Sequence, residues 1–341
     1  MSKPTRAFIC GCAGAALSAD ERAFIERYRP WGLILFRRNV ENVQQITDLT
    51  YQFREIVGRP DAPVLIDQEG GRVQRMTAPV WPKYPSATAY GRLLKLSLEE
   101  RLRLARLGAR RMAEDLRPVG VTVDCLPVLD VPAPGSHNVI GDRAYSDDPA
   151  LVARFGRAVA EGVMAGGVLP VMKHIPGHGR ARADSHHELP VVDADRRSLE
   201  ESDFAPFRAL ADLPMGMSAH VVYSAIDPKR PGTTSPVIVN DIIRGHIGFD
   251  GLLMTDDLSM KALGGTFAER TGAAFAAGVD VALHCNGDLR EGIEVAGASP
   301  VLDGKRLERA ERALGLLRRP VEPMDPVDAL RRVESVLAMT A

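Results

Sequence analysis

Eight short apolar runs, each separated from the next by an amphipathic stretch, limit what this chain can fold into more than any other feature. The runs are Ala7–Cys10, Gly32–Phe36, Val64–Asp67, Val121–Leu126, Val168–His174, Met215–His220, Leu252–Asp256 and Val279–His284. Strands that alternate with helices imply parallel pairing. Eight such units match a closed (β/α)8 barrel of the TIM type. Between the runs, Val43, Ile46, Leu49, Phe53 and Ile56 repeat at helical spacing. Ser18-x-x-Glu21, Ser97-x-x-Glu100 and Ser198-x-x-Glu201 each read as a capping box that opens a helix. An open, doubly wound sheet would place a glycine-rich phosphate loop after its first strand. Gly11-Cys12-Ala13-Gly14 lacks that full pattern, and no P-loop is present.

The 341 residues therefore read as one α/β catalytic domain, 1–341, with a barrel core over about 7–300. Helices over about 302–341, broken by Pro320, Pro323 and Pro326, read as a cover on the barrel. Forty-three Lys and Arg against 44 Asp and Glu leave a net charge of -1. That balance argues against nucleic acid or an anionic membrane as partner, and no apolar run reaches the ~18 residues of a membrane span. Four scattered cysteines without a C-x-x-C pair suit a reduced cytoplasm. The Gly- and Ala-rich stretch from Ala7 to Leu17 reads as a buried strand and its loop, not as a signal peptide.

Polar residues gather at the C-terminal ends of the runs. Val64-Leu65-Ile66 leads into Asp67-Gln68-Glu69, and the segment after Cys125 ends in Asp130. Val171-Met172 leads into Lys173-His174, Ser218-Ala219 into His220, Met254 into Thr255-Asp256-Asp257, and Leu283 into His284-Cys285-Asn286. In a parallel barrel these ends meet at one mouth, where catalysis is found. Loop polarity would explain one or two such endings but poorly explains six. Four of the eight histidines also fall within positions 174–187, on a stretch with Pro176, Gly177 and Gly179. These residues forbid a regular helix and predict a long loop at the mouth.

Two chemistries could use that loop. Metal binding is poorly served, because H-E-x-x-H and an early H-x-H are both missing. Acid–base catalysis fits better. Asp184 stands two residues from His186, and a carboxylate can orient an imidazole and favour its protonated form.

Lys173-His174-Ile175-Pro176-Gly177-His178-Gly179, followed by Asp184-Ser185-His186, resembles the K-H-F-P-G-H-G…D-S-H signature of bacterial β-N-acetylhexosaminidases of glycoside hydrolase family 3, the NagZ type. Similar pieces occur in the family's order from about residue 7 to 290. They are Gly32-Leu33-Ile34-Leu35-Phe36-x-Arg38-Asn39, Asp67-Gln68-Glu69-Gly70-Gly71-Arg72-Val73-Gln74-Arg75, Ile140-Gly141-Asp142-Arg143 and Thr255-Asp256-Asp257-Leu258-Ser259-Met260. Ile175 replaces the usual Phe, and the stretch from Arg180 to Ala183 is unusually basic.

The resemblance implies a retaining glycosidase that removes terminal β-N-acetylglucosamine. The expected substrates are 1,6-anhydro-N-acetylmuramyl peptides in cytoplasmic peptidoglycan recycling. It implies Asp256 as nucleophile, His186 as general acid/base and Asp184 as its partner. Asp67, Arg75, Arg143, Lys173 and His174 would bind the sugar hydroxyls. No metal, organic cofactor or macromolecular partner is implied, and a monomer is expected. Adjacency leaves Asp257 open as an alternative nucleophile. His178 and His187 read as loop-shaping residues, Glu69 as structural, and Arg72 as structural or ion-paired. A glycoside phosphorylase, a metal-dependent barrel hydrolase, a sugar-binding protein and the larger two-domain β-glucosidases of the same family are competing readings.

Overall fold

The computed structural model describes residues 4–185 and 187–340. Eight strands close into a barrel: β1 (Arg6–Cys10), β2 (Pro30–Leu35), β3 (Val64–Ile66), β4 (Val123–Asp124), β5 (Leu169–Ile175), β6 (Met215–Ser218), β7 (Leu252–Asp257) and β8 (Val281–His284). Each pairs in parallel with its sequence neighbours, and β1 pairs with β8 to complete the ring. All eight apolar runs thus supply a barrel strand. The run Val121–Leu126 gives the shortest ladder. Its neighbouring amides still bond across, Thr122 N to Val64 O and Cys125 N to Ile66 O.

The period of two along each strand sorts residues between two apolar layers. Ile9, Ile34, Leu65, Val123, Val171, Met217, Met254 and Leu283 fill the barrel interior. Their neighbours Phe8, Leu33, Leu35, Ile66, Met172 and Leu253 face the helices. One step further along the interior face, the same alternation reaches Asp67, Lys173, Asp256 and Cys285. The parity that buries the core therefore delivers charge to the mouth.

Helix Val43–Val57 is capped by Asn42 and ends at Gly58, whose φ of 63° is left-handed. It buries Ile46, Leu49, Phe53 and Val57, while Val43, in its first turn, lies exposed. Capping boxes form at Ser18/Glu21 and at Ser97/Glu100. The third expected box does not form. The helix begins three residues earlier, where Asp195 accepts from Ser198 N at 2.9 Å and from Ser198 Oγ at 2.8 Å. A carboxylate that can serve both donors outcompetes the serine as cap.

The C-terminal helices do not cover the mouth. Leu302, Ala310 and Ala313, around helix Gly304–Gly315, join the interior layer at the opposite end, where Leu302 N bonds Thr5 O. Pro326 opens the last helix, Pro326–Thr340, where a missing N–H costs nothing. That helix packs on Leu98–Leu116. Among the described residues, no helix is long and apolar enough to cross a membrane.

Asp280, just before β8, ties this closed end together. It bonds Arg244 at 2.7 Å, Arg309 of the C-terminal helix at 3.0 Å and Leu253 N at 2.9 Å. Removing one member of such a buried group strands the others. Asp280→Ala is expected to lower the unfolding free energy by about 3 kcal/mol, read as a shift of the urea midpoint. An unshifted midpoint would show that Asp280 adds nothing to the apolar packing and the Asp250 ion pairs that also hold the C-terminal helix.

Candidate active site

The mouth of the barrel holds a cleft of about 310 Å³, at the low end of small-ligand sites. Asp67, Arg75, Arg143, Lys173, His174, Asp184 and Asp256 all line it. Seven of the eight residues implied by the resemblance are thus brought together from five separate stretches of chain. His186 lies outside the described residues.

Lys173 is the hub of one side. Its ammonium is 2% exposed and sits 2.8 Å from Asp67 Oδ1 and 2.6 Å from Glu69 Oε1. Arg75 holds the second oxygen of Asp67 at 2.9 Å, and its guanidinium lies 5.1 Å from the Phe36 ring centre. Arg143 grips Glu69 with two parallel bonds of 2.8 Å, the bidentate geometry that a guanidinium favours. Burial alone would push the Glu69 carboxyl up, but Arg143 and Lys173 bring it down to about 2. Burial also opposes ionisation of Asp67, yet Lys173 and Arg75 hold it well below the usual carboxylate range. Burial lowers the Lys173 ammonium less than these two carboxylates raise it. Glu69, read from sequence as structural, is therefore both the link between Lys173 and Arg143 and a wall of the cleft.

The other side is built on Asp130. Pro127 to Asp130 run beside the end of β5, with Lys173 N donating to Pro127 O at 3.0 Å and Leu129 N to Lys173 O at 2.7 Å. This register drops the fully buried Asp130 carboxylate beside His174. Oδ2 lies 2.7 Å from His174 Nδ1, while Oδ1 accepts from His174 N at 3.2 Å and from His178 N at 2.7 Å. Nothing in the order of residues foretells this contact, since the two groups are 44 positions apart.

The loop after β5 is fastened along its first half. Tyr223 Oη donates to Gly177 O at 2.8 Å, and His137 N to Ala181 O at 2.8 Å. Gly179 passes so close to Val131 that a Cβ there would lie 2.0 Å from the Val131 carbonyl oxygen. Arg180, part of the unusually basic stretch, donates to the buried Asp203 at 2.5 Å. Burial raises that carboxyl to about 6 even against Arg180. His178 points inward, its Nε2 3.3 Å from Ser185 Oγ, and burial pushes its ring down to about 4. His178 thus sits between the base of the loop and the cleft, which it also lines. Ala262 N bonds Ser185 O at 3.2 Å, which holds the far half of the loop, with Asp184, at the rim of the cleft.

The adjacent carboxylates at the end of β7 have different surroundings. Asp257 accepts from Ser259 N at 3.0 Å, Ser259 Oγ at 2.5 Å and Cys285 N at 3.1 Å. These bonds tie it to the turn that follows and to the end of β8, although it too borders the cleft. Asp256 is 7% exposed, lines the cleft and accepts from the Asp257 amide at 2.8 Å. Arg72, left open from sequence, bonds Asp142 at 2.6 Å and the carbonyls of Asn138, Val139 and Ile140. It fixes the wall that carries Arg143. Among the described residues, no group of three or more His, Cys, Asp or Glu is arranged to hold a metal ion.

A family model for the N-terminal domain of glycosyl hydrolase family 3 matches residues 9–313. A β-hexosaminidase of Chromobacterium violaceum is 37% identical over 322 residues, covering 93% of this chain and 89% of the relative. One from Methylococcus capsulatus is 42% identical over 299 residues, covering 84% of this chain and 86% of the relative. The crystal structure of NagZ from Neisseria gonorrhoeae in complex with N-trifluoroacetyl-D-glucosamine superposes with a TM-score of 0.86. It is 30% identical and aligns over 98% of both chains.

The Glu69 network makes the site acid-sensitive. An unfolded glutamate takes up its proton near 4.5, the folded one only near 2. Below 4.5 the unfolded chain binds the proton first, so this stabilisation is whole above about 4.5 and lost as the pH falls toward 2. Glu69→Gln is expected to be less stable than wild type by about 3 kcal/mol at pH 7, because two cations lose a buried partner. The gap should narrow steadily in urea titrations from pH 4.5 to pH 3. A gap independent of pH would mean that Glu69 titrates as an ordinary carboxylate.

Proposed function

The chain belongs to glycosyl hydrolase family 3 and is a β-N-acetylhexosaminidase, and on that premise we propose that it removes terminal, non-reducing β-linked N-acetylglucosamine with retention of configuration. The observation that carries this reading is the pairing of a cleft-lining Asp256 on a barrel strand with Asp184 on the loop that faces it. The proposed natural substrate is a 1,6-anhydro-N-acetylmuramyl peptide released during peptidoglycan recycling, with the enzyme acting as a monomer in the cytoplasm.

In the first step Asp256 attacks the anomeric carbon from below the ring and forms a glycosyl ester. His186 protonates the departing oxygen, held in orientation by Asp184. In the second step the neutral His186 takes a proton from water, which attacks the same carbon and restores the β configuration. Each step inverts that carbon, so together they retain. Attack by Asp256 and not Asp257 is supported by the three bonds, two from Ser259 and one from Cys285, that occupy Asp257. The paired charges on the Lys173 side of the cleft support a role in holding hydroxyls. Lys173, Arg75 and Arg143 donate, while Asp67 accepts, and a sugar ring presents both kinds of group. Both carboxylates there are held below the usual carboxylate range, so at neutral pH they are ionised and can accept hydrogen bonds from hydroxyls.

Turnover of an aryl β-N-acetylglucosaminide is expected in EDTA-treated, dialysed enzyme, with little cleavage of the matching β-glucoside and free sugar as product in phosphate buffer. Sugar phosphate as the main product would make it a phosphorylase. Activity that returned only with a divalent ion would make it a metal-dependent hydrolase. Separately, a 5-fluoro sugar with a good leaving group should let the ester accumulate, with peptide mass spectrometry finding it on Asp256. Asp256→Asn should lose roughly 10⁴-fold in kcat and keep its fold. A label on Asp257, or an inverted product, would defeat the assignment.

A further inference from the structure

Asp130 touches no surface of the cleft, yet it holds two things that do or that lead there: the ring of His174 and the start of the loop that carries Asp184. We infer that Asp130 is a positioning residue of the reaction, which fixes the proton of His174 on Nδ1 and thereby turns Nε2 of that ring toward the sugar.

Three donors converge on this one carboxylate. Oδ1 takes the backbone amides of His174 and His178, at 3.2 and 2.7 Å, which leaves Oδ2 for the ring nitrogen at 2.7 Å. Burial would raise the Asp130 carboxyl, but His174 and His178 hold it down to about 2. An ionised carboxylate can only accept, so the ring nitrogen facing it carries the hydrogen. With Nδ1 committed, Nε2 is the nitrogen of this cleft-lining ring that remains for a ligand. The edge of the His178 ring, 5.8 Å away between centres, packs against the same imidazole and restricts its rotation. The His174 amide bonded to the same carboxylate fixes the backbone from which the ring projects. A buried carboxylate that orients an imidazole in this way acts through geometry and proton location, not through contact with substrate.

The isosteric amide separates these roles. In Asp130→Asn one oxygen accepts and one nitrogen donates. Two backbone amides converge on the Oδ1 position, and turning the NH₂ there would set it against both. The oxygen therefore stays with the backbone and the NH₂ faces His174, which must then bare Nδ1 and move its proton to Nε2. The loop keeps its tether, and the change is confined to the ring. This inference rests on the reading of His174 as a sugar ligand of a β-N-acetylhexosaminidase.

The experiment combines nitrogen NMR of the histidine rings with kinetics on an aryl β-N-acetylglucosaminide. In wild type without substrate, His174 should show a proton on Nδ1; in Asp130→Asn, Nδ1 should be bare and Nε2 protonated. The same substitution should lower kcat/KM by roughly 10- to 100-fold, the usual range for disturbing one buried hydrogen bond in a site. In a His174→Gln background it should add less than about twofold, because residues that act through one another are not additive. A wild-type ring with Nδ1 bare overturns the inference without any variant, so a misfolded Asp130→Asn would not rescue it. Full activity of Asp130→Asn, or equal losses in both backgrounds, overturns it as well and leaves the hexosaminidase reading standing. If wild-type enzyme cleaved no β-N-acetylhexosaminide, that reading would fall instead, and the spectra would still decide what Asp130 does to the ring.

Discussion

One buried ammonium organises the mouth of this barrel. Lys173 Nζ lies between Asp67, at the end of β3, and Glu69, on the short hairpin strand Gln68–Gly70 that follows. Burying a lone ammonium is prohibitive, and burying two neighbouring carboxylates is worse. Together, with Arg75 and Arg143 on the outer oxygens, each charge satisfies another. None of the three segments that carry them, 67–75, the stretch with Arg143 and the end of β5, can move without uncovering a charge. The same interdependence keeps donors and acceptors pointing at the cleft before any sugar arrives, so little reorganisation is needed on binding.

The opposite wall obeys a different principle. It is formed by the loop after β5, which brings Asp184 to the rim of the cleft. Its first half is bound to the scaffold by Asp130, Tyr223, His137 and Asp203. In its second half Ser185 meets His178 and Ala262, and the amides of His187 and Glu188 bond the Asp184 carbonyl.

The charge of the chain as a whole is almost nil, and the cleft shows why that number carries little functional meaning. Strong fields are present but cancel within a few ångströms. A neutral amino sugar needs directional hydrogen bonds more than net attraction, and paired charges supply these without drawing in unrelated ions.

The sequence alone determined the barrel and most of the cleft. Eight apolar runs with period two fix which residues face inward, and the same parity carries Asp67, Lys173 and Asp256 to the mouth. Local chemistry also fixed two capping boxes, while Ser198 lost its expected one to Asp195, a competition between two cap residues that spacing does not weigh. Tertiary structure decided what depends on closure of the ring. Asp130 meets His174 only because the segment after β4 pairs with β5. Glu69 becomes a wall of the cleft only because Arg143, 74 residues later, folds back upon it. The C-terminal helices plug the far end because the barrel's interior layer is open there, a vacancy with no trace in their own amphipathic pattern. Contacts between distant segments are set by three-dimensional packing, and a one-dimensional pattern records which face a residue takes, not whom it meets there.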